Sequence, residues 1–509
     1  MLPFYLIAMV SERCSEQSDS PTTEITEASL PSDAPTDHTH TCLDGSDDHG
    51  ASTACPCNTL LFFQVLLGIL CAFKPAEPFV VPYYIDNGIS MEQINQVVFP
   101  TSGYSNFGFL LVLSLVSIAI SHHALLYLGW MGYVACYTLL VFVDKLVIAI
   151  FDEIFYGLAV ASETVYCAAF YFLKNRNVSE ETSQLRASAI SRTTLLVTHV
   201  VSDLSGQLMV SFIPDFSKRL LFIITAISVS FSLVPLTVIT CLQRRPKNHP
   251  FNGVLQNKDV YSSVVNTERM TRKLYLRGLS YVWGGGIAGA LPLYIGIFSL
   301  SGHTLYQNYI TNILYDVQQG SDSELYGLFV MAGRLSGVLG SVLALACRKV
   351  KRVEALQLFL LLTLSCLLIV PAFVQHLLWL FVANIAEFAV AELTITVMWA
   401  QLAASCQLTI YPAVFLCQAL VVAAIVLVVQ ATVFNNVASK LGGFTVNQTH
   451  YFWCAILGLA GLSVSLLVSL VTRLKRRCKE SDKNNMPRVR YDEKIEPNET
   501  SPLPPRPIL

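Results

Sequence analysis

Residues 355–374 read ALQLFLLLTLSCLLIVPAFV, a stretch of twenty positions with no charged side chain. A helix of about 20 apolar residues is long enough to cross the roughly 30 Å hydrocarbon layer of a bilayer. Immediately before it, Arg348, Lys349, Lys351 and Arg352 form a basic cluster of the kind that flanks a span on its cytoplasmic side. The stretch therefore reads as a transmembrane helix. Comparable runs follow near 377–400, 411–434 and 449–471 and precede it near 322–346. Further upstream lie runs near 59–83, 98–121, 123–143, 147–173, 190–213 and 219–242. A long apolar region near 277–316 exceeds one span; it reads as one helix entered by an amphipathic or re-entrant piece around Gly284 to Pro292, or as a helix carrying an insertion, and two full spans there would raise the count to thirteen.

Composition agrees with this reading. Of the 509 residues 53% are hydrophobic and only 13% charged, against about 25% charged in an average soluble protein, which excludes an ordinary cytosolic enzyme. A net charge of −2 excludes a nucleic-acid partner, which would demand excess Lys and Arg against phosphate. Many of the 14 cysteines, such as Cys71, Cys136, Cys167, Cys241, Cys366 and Cys417, sit in apolar runs as small hydrophobes. Cys42, Cys55 and Cys57 lack zinc-site or redox Cys-x-x-Cys spacing, so neither a disulfide framework nor a metal site is expected. Gly284, Gly286 and Gly289 match G-x-G-x-x-G without a preceding strand, which reads as close helix packing. No Walker loop is present, no catalytic residues are assigned, and no cofactor is implied.

Residues 1–57 are rich in Ser, Thr, Pro and acidic side chains and read as a disordered acidic tail. Met1 to Val10 is apolar but lacks the basic start of a signal peptide, since Arg13 follows it. The chain then divides into 58–242, a basic linker over 243–276, 277–472 and a basic, Pro-containing tail over 473–509 whose Pro502 to Pro507 reads as solvated. Lys and Arg cluster at 174–186, 244–277, 348–352 and beyond Arg473. The positive-inside rule puts those segments, and with about twelve spans both termini, in the cytoplasm. The sequon at Asn447 then falls in the last outside loop and is the usable glycosylation site, whereas Asn177 and Asn498 fall inside. The fold class is thus an all-α membrane protein of about 12 transmembrane helices in two six-helix halves, the major facilitator layout, in which the halves rock about a midplane site.

Ionisable residues inside a bilayer mark functional sites by default, because each costs about 2.5 to 3.5 kcal/mol even on insertion scales. They are Lys74, Glu77, Asp152, Glu153, Glu163, Arg192, Asp203, Arg334, Glu387 and Glu392, with His199 as a titratable neighbour. Acids outnumber bases, which points to a cationic or protonated solute; the plainer account pairs several acids with Lys74, Arg192 and Arg334. In the fourth span Tyr156, Glu163, Tyr166 and Phe170 fall on one helical face. An acid among aromatic rings suits an organic cation through Coulomb attraction and cation–π contact, although a packing stripe would have the same spacing. Pro75 and Pro78 interrupt the first span, and broken helices mark transporter sites; alternatively the break is a kink in which Lys74 and Glu77 neutralise one another. In the seventh span Tyr306, Gln307, Asn308 and Tyr309 form a polar aromatic cluster in which Asn308 can donate and accept, or can bond to a neighbouring helix. His199 lies one turn from Asp203 and could relay protons, with core packing as the simpler role.

These same segments resemble the reduced folate and thiamine carrier family, solute carrier family 19, over residues 59–472. Lys74 to Phe79 with Pro82 and Tyr83 resembles the family's Arg-Pro-Ser-Glu-Pro-Phe segment and the Pro-Tyr after it. Phe99-Pro100 with Tyr104-Ser105 resembles the opening of its second span. GLAVASETVYCAAFY (157–171) resembles the fourth-span motif, Ser191-Arg192 the fifth-span Arg, and GHTLYQNYITNILYD (302–316) with Tyr326-Gly327 the seventh span and the start of the eighth. The resemblance implies that Glu163, where thiamine carriers have Glu and folate carriers Arg, meets a thiazolium cation rather than a glutamate tail. It also implies that Tyr166 stacks on the aminopyrimidine and Asn308 bonds to it. Glu387, Glu392, Gln418 and Gln430 offer no cation for a carboxylate, which points the same way. The sequence departs from the family where Ser102 replaces a Trp, Lys74 replaces Arg, and residues 284–301 resemble an insertion.

The resulting expectation is a plasma-membrane, multi-pass carrier that takes up thiamine by alternating access. Reduced folate is the runner-up substrate, and a non-transporting receptor the runner-up class. Glu163, Tyr166, Asn308, Glu77, Tyr306 and Tyr104 are the expected substrate contacts; Lys74, Pro75, Pro78 and Arg192 are structural or gating. A coupling proton and an exchanged organic anion are equally compatible with the sequence.

Overall fold

The computed structural model describes residues 56–116, 120–169, 180–244, 287–318, 325–349, 353–374, 376–404, 411–434 and 446–485. The tail before residue 56, the linker over 245–286 with Gly284 and Gly286, Phe170, Asn177 and the chain beyond 485 lie outside them.

The helices are α1 (Pro56–Ala72), α2 (Val80–Asp86), α3 (Phe99–Val116), α4 (His122–Val141), α5 (Leu146–Ala169), α6 (Glu180–Phe212), α7 (Lys218–Phe231), α8 (Leu233–Arg244), α9 (Ile287–Gln318), α10 (Tyr326–Leu343), α11 (Val353–Phe373), α12 (Leu377–Ala404), α13 (Tyr411–Phe434) and α14 (Val446–Asn485). Among the described residues ten stretches are long and apolar enough to cross a membrane, with α1–α2 and α7–α8 each counting once. Helices α5 and α9, of 24 and 32 residues, are also long enough. Of the two, α5 carries three acidic residues, Asp152, Glu153 and Glu163.

Charged side chains are buried within an otherwise apolar core, and large apolar side chains cover the outside. Asp203, Glu387 and Glu392 are fully buried, whereas Phe212, Leu378 and Leu339 are more than 60% exposed on the outer face. A bilayer removes the penalty for exposed apolar side chains and leaves the polar groups to find partners within the bundle.

Two departures from straight helices position the site. In the first span α1 stops at Ala72 and Glu77–Phe79 forms a single 3-10 turn before α2. The amide of Ala76, freed by the break, donates to Thr225 Oγ1 of α7 at 3.3 Å, so the break is satisfied by a neighbouring helix as the hydrocarbon layer requires. Ahead of Pro100, Ile94–Val98 forms a π turn in which Phe99 N–H donates to Ile94 O. The region near 284–301 resolves more simply: residues 287–301 are the first turns of the continuous helix α9, which runs through Pro292. A re-entrant piece is therefore not formed by residues 287–292.

Helices α6, α10 and α12 pack along one another, as do α3, α5 and α13, and these contacts join the helices before the linker to those after it. Small residues set the spacing. At Gly132 on α4, an added Cβ would stand 2.9 Å from the Ala159 amide nitrogen and 3.0 Å from the Phe155 carbonyl oxygen of α5. Both are backbone atoms that cannot rotate away. Gly132→Ala is expected to destabilise the bundle by about 1–3 kcal/mol. An unchanged melting temperature of the detergent-purified variant would contradict that packing.

Candidate functional site in the core of the bundle

A cavity with several polar side chains on its wall lies between α2, α3, α4, α5, α9, α10 and α12 and holds about 1110 Å³ of free space including its mouth. Its wall includes Glu77, Tyr84, Ser102, Asp152, Glu153, Tyr156, Asn308 and Arg334. Asp152 and Glu153 are buried. The Tyr84 hydroxyl lies 3.0 Å from Asp152 Oδ2 and 3.4 Å from Glu153 Oε1, so its one proton serves two carboxylates. Neither carboxylate has an ion pair among the described residues. Gly157 lets α5 approach α3: a Cβ there would collide with Ser105, whose hydroxyl lies 3.1 Å from the Glu153 carbonyl oxygen.

Arg334 is the cation on this wall, and it is engaged. Its Nη1 donates to Asp203 Oδ1 and Oδ2 at 2.8 and 3.0 Å, and its Nη2 lies 3.1 Å from Glu77 Oε2. His199 Nδ1 stands 3.3 Å from Arg334 Nη1 and 3.6 Å from Glu77 Oε2. His199 and Asp203 thus meet through Arg334.

A second, smaller cavity lies among the helices before the linker, bounded by Lys74, Trp130, Tyr133, Glu163, Tyr166 and His199 among others. Tyr133 donates to Glu163 Oε2 at 3.0 Å, and the Lys74 ammonium lies 3.9 Å from the Tyr133 ring centroid, within cation–π range. Tyr166 is buried and its hydroxyl donates to the Gln64 carbonyl at 3.0 Å. That reach depends on Gly68, where any Cβ would overlap the phenol. The rings of Tyr133 and Tyr156 meet edge to face at 6.4 Å, and Tyr156 faces the larger cavity, so an aromatic wall separates the two spaces.

The expected contacts are therefore divided. Asn308 and Glu77 line the larger cavity, and Glu163 and Tyr166 the smaller. Tyr306 is fully buried against Tyr451, and Tyr104 is half exposed on α3; neither lines either cavity. Lys74 and Glu77 do not neutralise one another: Glu77 pairs with Arg334, and Lys74 forms no ion pair among the described residues. Pro78 borders the larger cavity, and the Pro75 carbonyl packs on Gly206 of α6. Arg192 pairs with Glu392 of α12 through both carboxylate oxygens and covers Trp399. Gln430 donates to the Tyr309 hydroxyl at 3.3 Å and Gln418 to Met398 Sδ at 3.4 Å.

Asp152, Glu153, Tyr84 and Arg334 line the larger cavity without having been assigned individual roles from sequence. The signal was present on α5: Glu153, Tyr156 and Glu163 are spaced three and seven apart, one stripe beginning a turn earlier than the stripe read from Tyr156.

The reduced folate carrier family model matches residues 57–452. Among curated relatives, the reduced folate transporter of Rattus norvegicus is 23% identical over 193 residues, 38% of this chain and 36% of its own length. Thiamine transporter 2 of Macaca fascicularis is 28% identical over 184 residues, 35% of this chain and 36% of its own. The matched segments thus span about a third of each relative. In fold, the chain is similar to the human organic anion transporter MFSD10 (TM-score 0.52, 13% identity, 80% of this chain and 98% of that one). It is also similar to the proton:xylose symporter XylE of the major facilitator superfamily (TM-score 0.57, 12% identity, 80% and 94%). The fold is that of the major facilitators, and with its apolar spans and matched motifs the chain is a multi-pass membrane protein that belongs to the reduced folate carrier family.

Proposed function

We propose that this protein is a secondary-active vitamin carrier that moves thiamine into the cell across the plasma membrane by alternating access. The observation that carries the reading is the charge of the larger cavity: Asp152 and Glu153 are buried with no counter-cation among the described residues, while Arg334 is held by Asp203 and Glu77. A cationic ligand supplies the missing charge; a dianionic folate would meet two unpaired carboxylates and a guanidinium already engaged. Tyr84 and Tyr156 offer ring faces to such a cation, and Asn308, exposed to the cavity, offers a donor and an acceptor.

In this reading Glu163 and Tyr166 act from the smaller cavity, where Glu163 would hold the cation on its way through and Tyr166 would present its ring. Glu77 adds a contact on the wall of the larger cavity, and Lys74, Pro75, Pro78 and Arg192 shape or gate the path; Tyr306 and Tyr104, which line neither cavity, are left out of the contact set. The moving bodies are the two six-helix halves, 58–242 and 277–472, in a twelve-span chain whose 243–276 linker and both tails are cytoplasmic. The names of the relatives, which include both thiamine and reduced folate transporters, support a vitamin substrate of one of these two kinds. A proton or an exchanged organic anion supplies the driving force.

The test is labelled thiamine and labelled folate uptake in cells lacking their own carriers, comparing wild type with Glu163→Gln. Saturable thiamine uptake, reduced about tenfold or more by the loss of about 1.4 kcal/mol or more of cation binding, is the expected result. Folate uptake, or thiamine uptake indifferent to Glu163, would overturn the assignment; absence of any saturable uptake would favour a receptor. The same topology puts Asn447, in the first turn of α14, outside the cell. Asn447→Gln is expected to abolish the mobility shift on enzymatic deglycosylation, and a shift that survived it would invert or renumber the spans.

A further inference from the structure

A second cluster of titratable groups lies between α9 and α12, outside both cavities. His303 of α9 is 4% exposed, and Glu387 and Glu392 of α12 are fully buried. His303 Nδ1 stands 2.9 Å from Glu387 Oε1. Its Nε2 lies 2.6 Å from the Gln307 side-chain amide, one turn along α9, and 3.8 Å from Glu392 Oε1. Gln307 is exposed to the larger cavity. Glu392 is shared: the same carboxylate holds Arg192 of α6, on the other side of the linker in sequence. Glu387 Oε2 accepts no hydrogen bond among the described residues.

The neighbouring helices bring few other charges. Arg192 approaches from α6, within electrostatic reach of Glu163 on α5; Arg334 of α10 is paired with Asp203 and Glu77; and Tyr306 lies on α9 itself. Tyr451 and Cys454 of α14 are near Glu387; α13 has no charged residue along its length, and α11 carries one, Glu354, in its first turn. Two carboxylates against one guanidinium leave one negative charge in a buried site, and burying an uncompensated charge is costly. One proton balances it.

We propose that His303 and Glu387 form a proton-binding site, filled from the larger cavity through Gln307, whose occupancy governs the Arg192–Glu392 tie between α6 and α12. In the unloaded state the imidazole donates from Nδ1 to Glu387, and the Gln307 amide N–H donates to Nε2. A proton arriving at Nε2 displaces that N–H; Gln307 turns its amide, and its oxygen accepts the new N–H. The imidazolium then attracts Glu392 in competition with Arg192 and loosens the tie between the two sets of helices. Deprotonation reverses each step. Use of this proton in transport rests on the carrier reading; its binding does not.

The experiment has two arms. Purified protein in lipid nanodiscs, without substrate, is titrated from about pH 5 to 8, the window in which an imidazole changes charge. Wild type is expected to take up about one proton more than His303→Gln. Glu387→Gln, which keeps a hydrogen-bond acceptor for the imidazole, should also lose that proton and serves as the second variant should the first misfold. In proteoliposomes an imposed pH gradient should change the accumulation of labelled thiamine by wild type. In His303→Gln that dependence should vanish while thiamine exchange at equal pH remains measurable above protein-free vesicles. Superimposable titrations of wild type and both variants would overturn the site. A titration difference with gradient-independent uptake would overturn the coupling. Vesicles that move neither thiamine nor folate would overturn the carrier reading, and the nanodisc titration would still decide the proton site.

Discussion

Carriers with Arg334 replaced by Gln are expected to lose about 3–5 kcal/mol of stability, because removing one partner of a buried ion pair leaves its counter-charges stranded. Here two are stranded. Asp203 is fully buried and takes both of its short bonds from Arg334 Nη1, and Glu77 takes the second nitrogen at 3.1 Å. The loss should appear as a large fall in melting temperature of the detergent-purified protein and in the fraction reaching the cell surface. Arg334→Lys should recover only part, since an ammonium cannot span two carboxylates in a fixed fork. Adding Asp203→Asn to Arg334→Gln should restore stability by removing the deeper of the two uncompensated charges, a non-additivity expected of side chains in direct contact. If Arg334→Gln melted with wild type, the network would be a surface-like pair of little consequence.

This network illustrates what the sequence could and could not disclose. Arg334, Asp203 and Glu77 were legible as ionisable residues in apolar runs, since hydropathy is a local property. Their mutual pairing was not: Arg334 lies 131 residues from Asp203, and Arg192 lies 200 from Glu392. Nothing local distinguishes a partner at that separation. The break at Pro75 and Pro78 was legible because proline acts on its own backbone. The aromatic stripe of α5 was legible as a face but not as a pocket. Seven residues from Tyr156 to Glu163 rise by about 10 Å along a helix, enough to put an aromatic wall between them and each in a different cavity. Ser102, a small residue, lines the larger cavity beside Glu153. The polar cluster at Tyr306 to Tyr309 split for the opposite reason: consecutive helical residues point in different directions, so Gln307 and Asn308 face the cavity while Tyr306 and Tyr309 are buried.

Glu153→Gln, combined with Asp152→Asn, is expected to reduce thiamine uptake by about ten- to a hundredfold, corresponding to about 1.4–3 kcal/mol of lost cation binding. The substitutions keep shape and hydrogen-bonding capacity while removing the negative charge of the larger cavity. Coulomb attraction at an effective dielectric of about 20 is worth about 4 kcal/mol for unit charges 4 Å apart, so the expected loss is a modest fraction of the available interaction. The two carboxylates are adjacent and share the single hydroxyl of Tyr84, so each change alone should already produce most of the effect, and their free energies should not add. Tyr84→Phe provides the contrast. It removes the shared donor, leaves both charges and the ring face, and should weaken uptake less than either charge removal. Stability should move the other way from the Arg334 variant, because neutralising two unpaired buried carboxylates removes a desolvation penalty. A double variant that reaches the surface, melts higher and has lost thiamine uptake would separate the site from the scaffold. One that reaches the surface with uptake intact would move the cation to Glu163 and the smaller cavity.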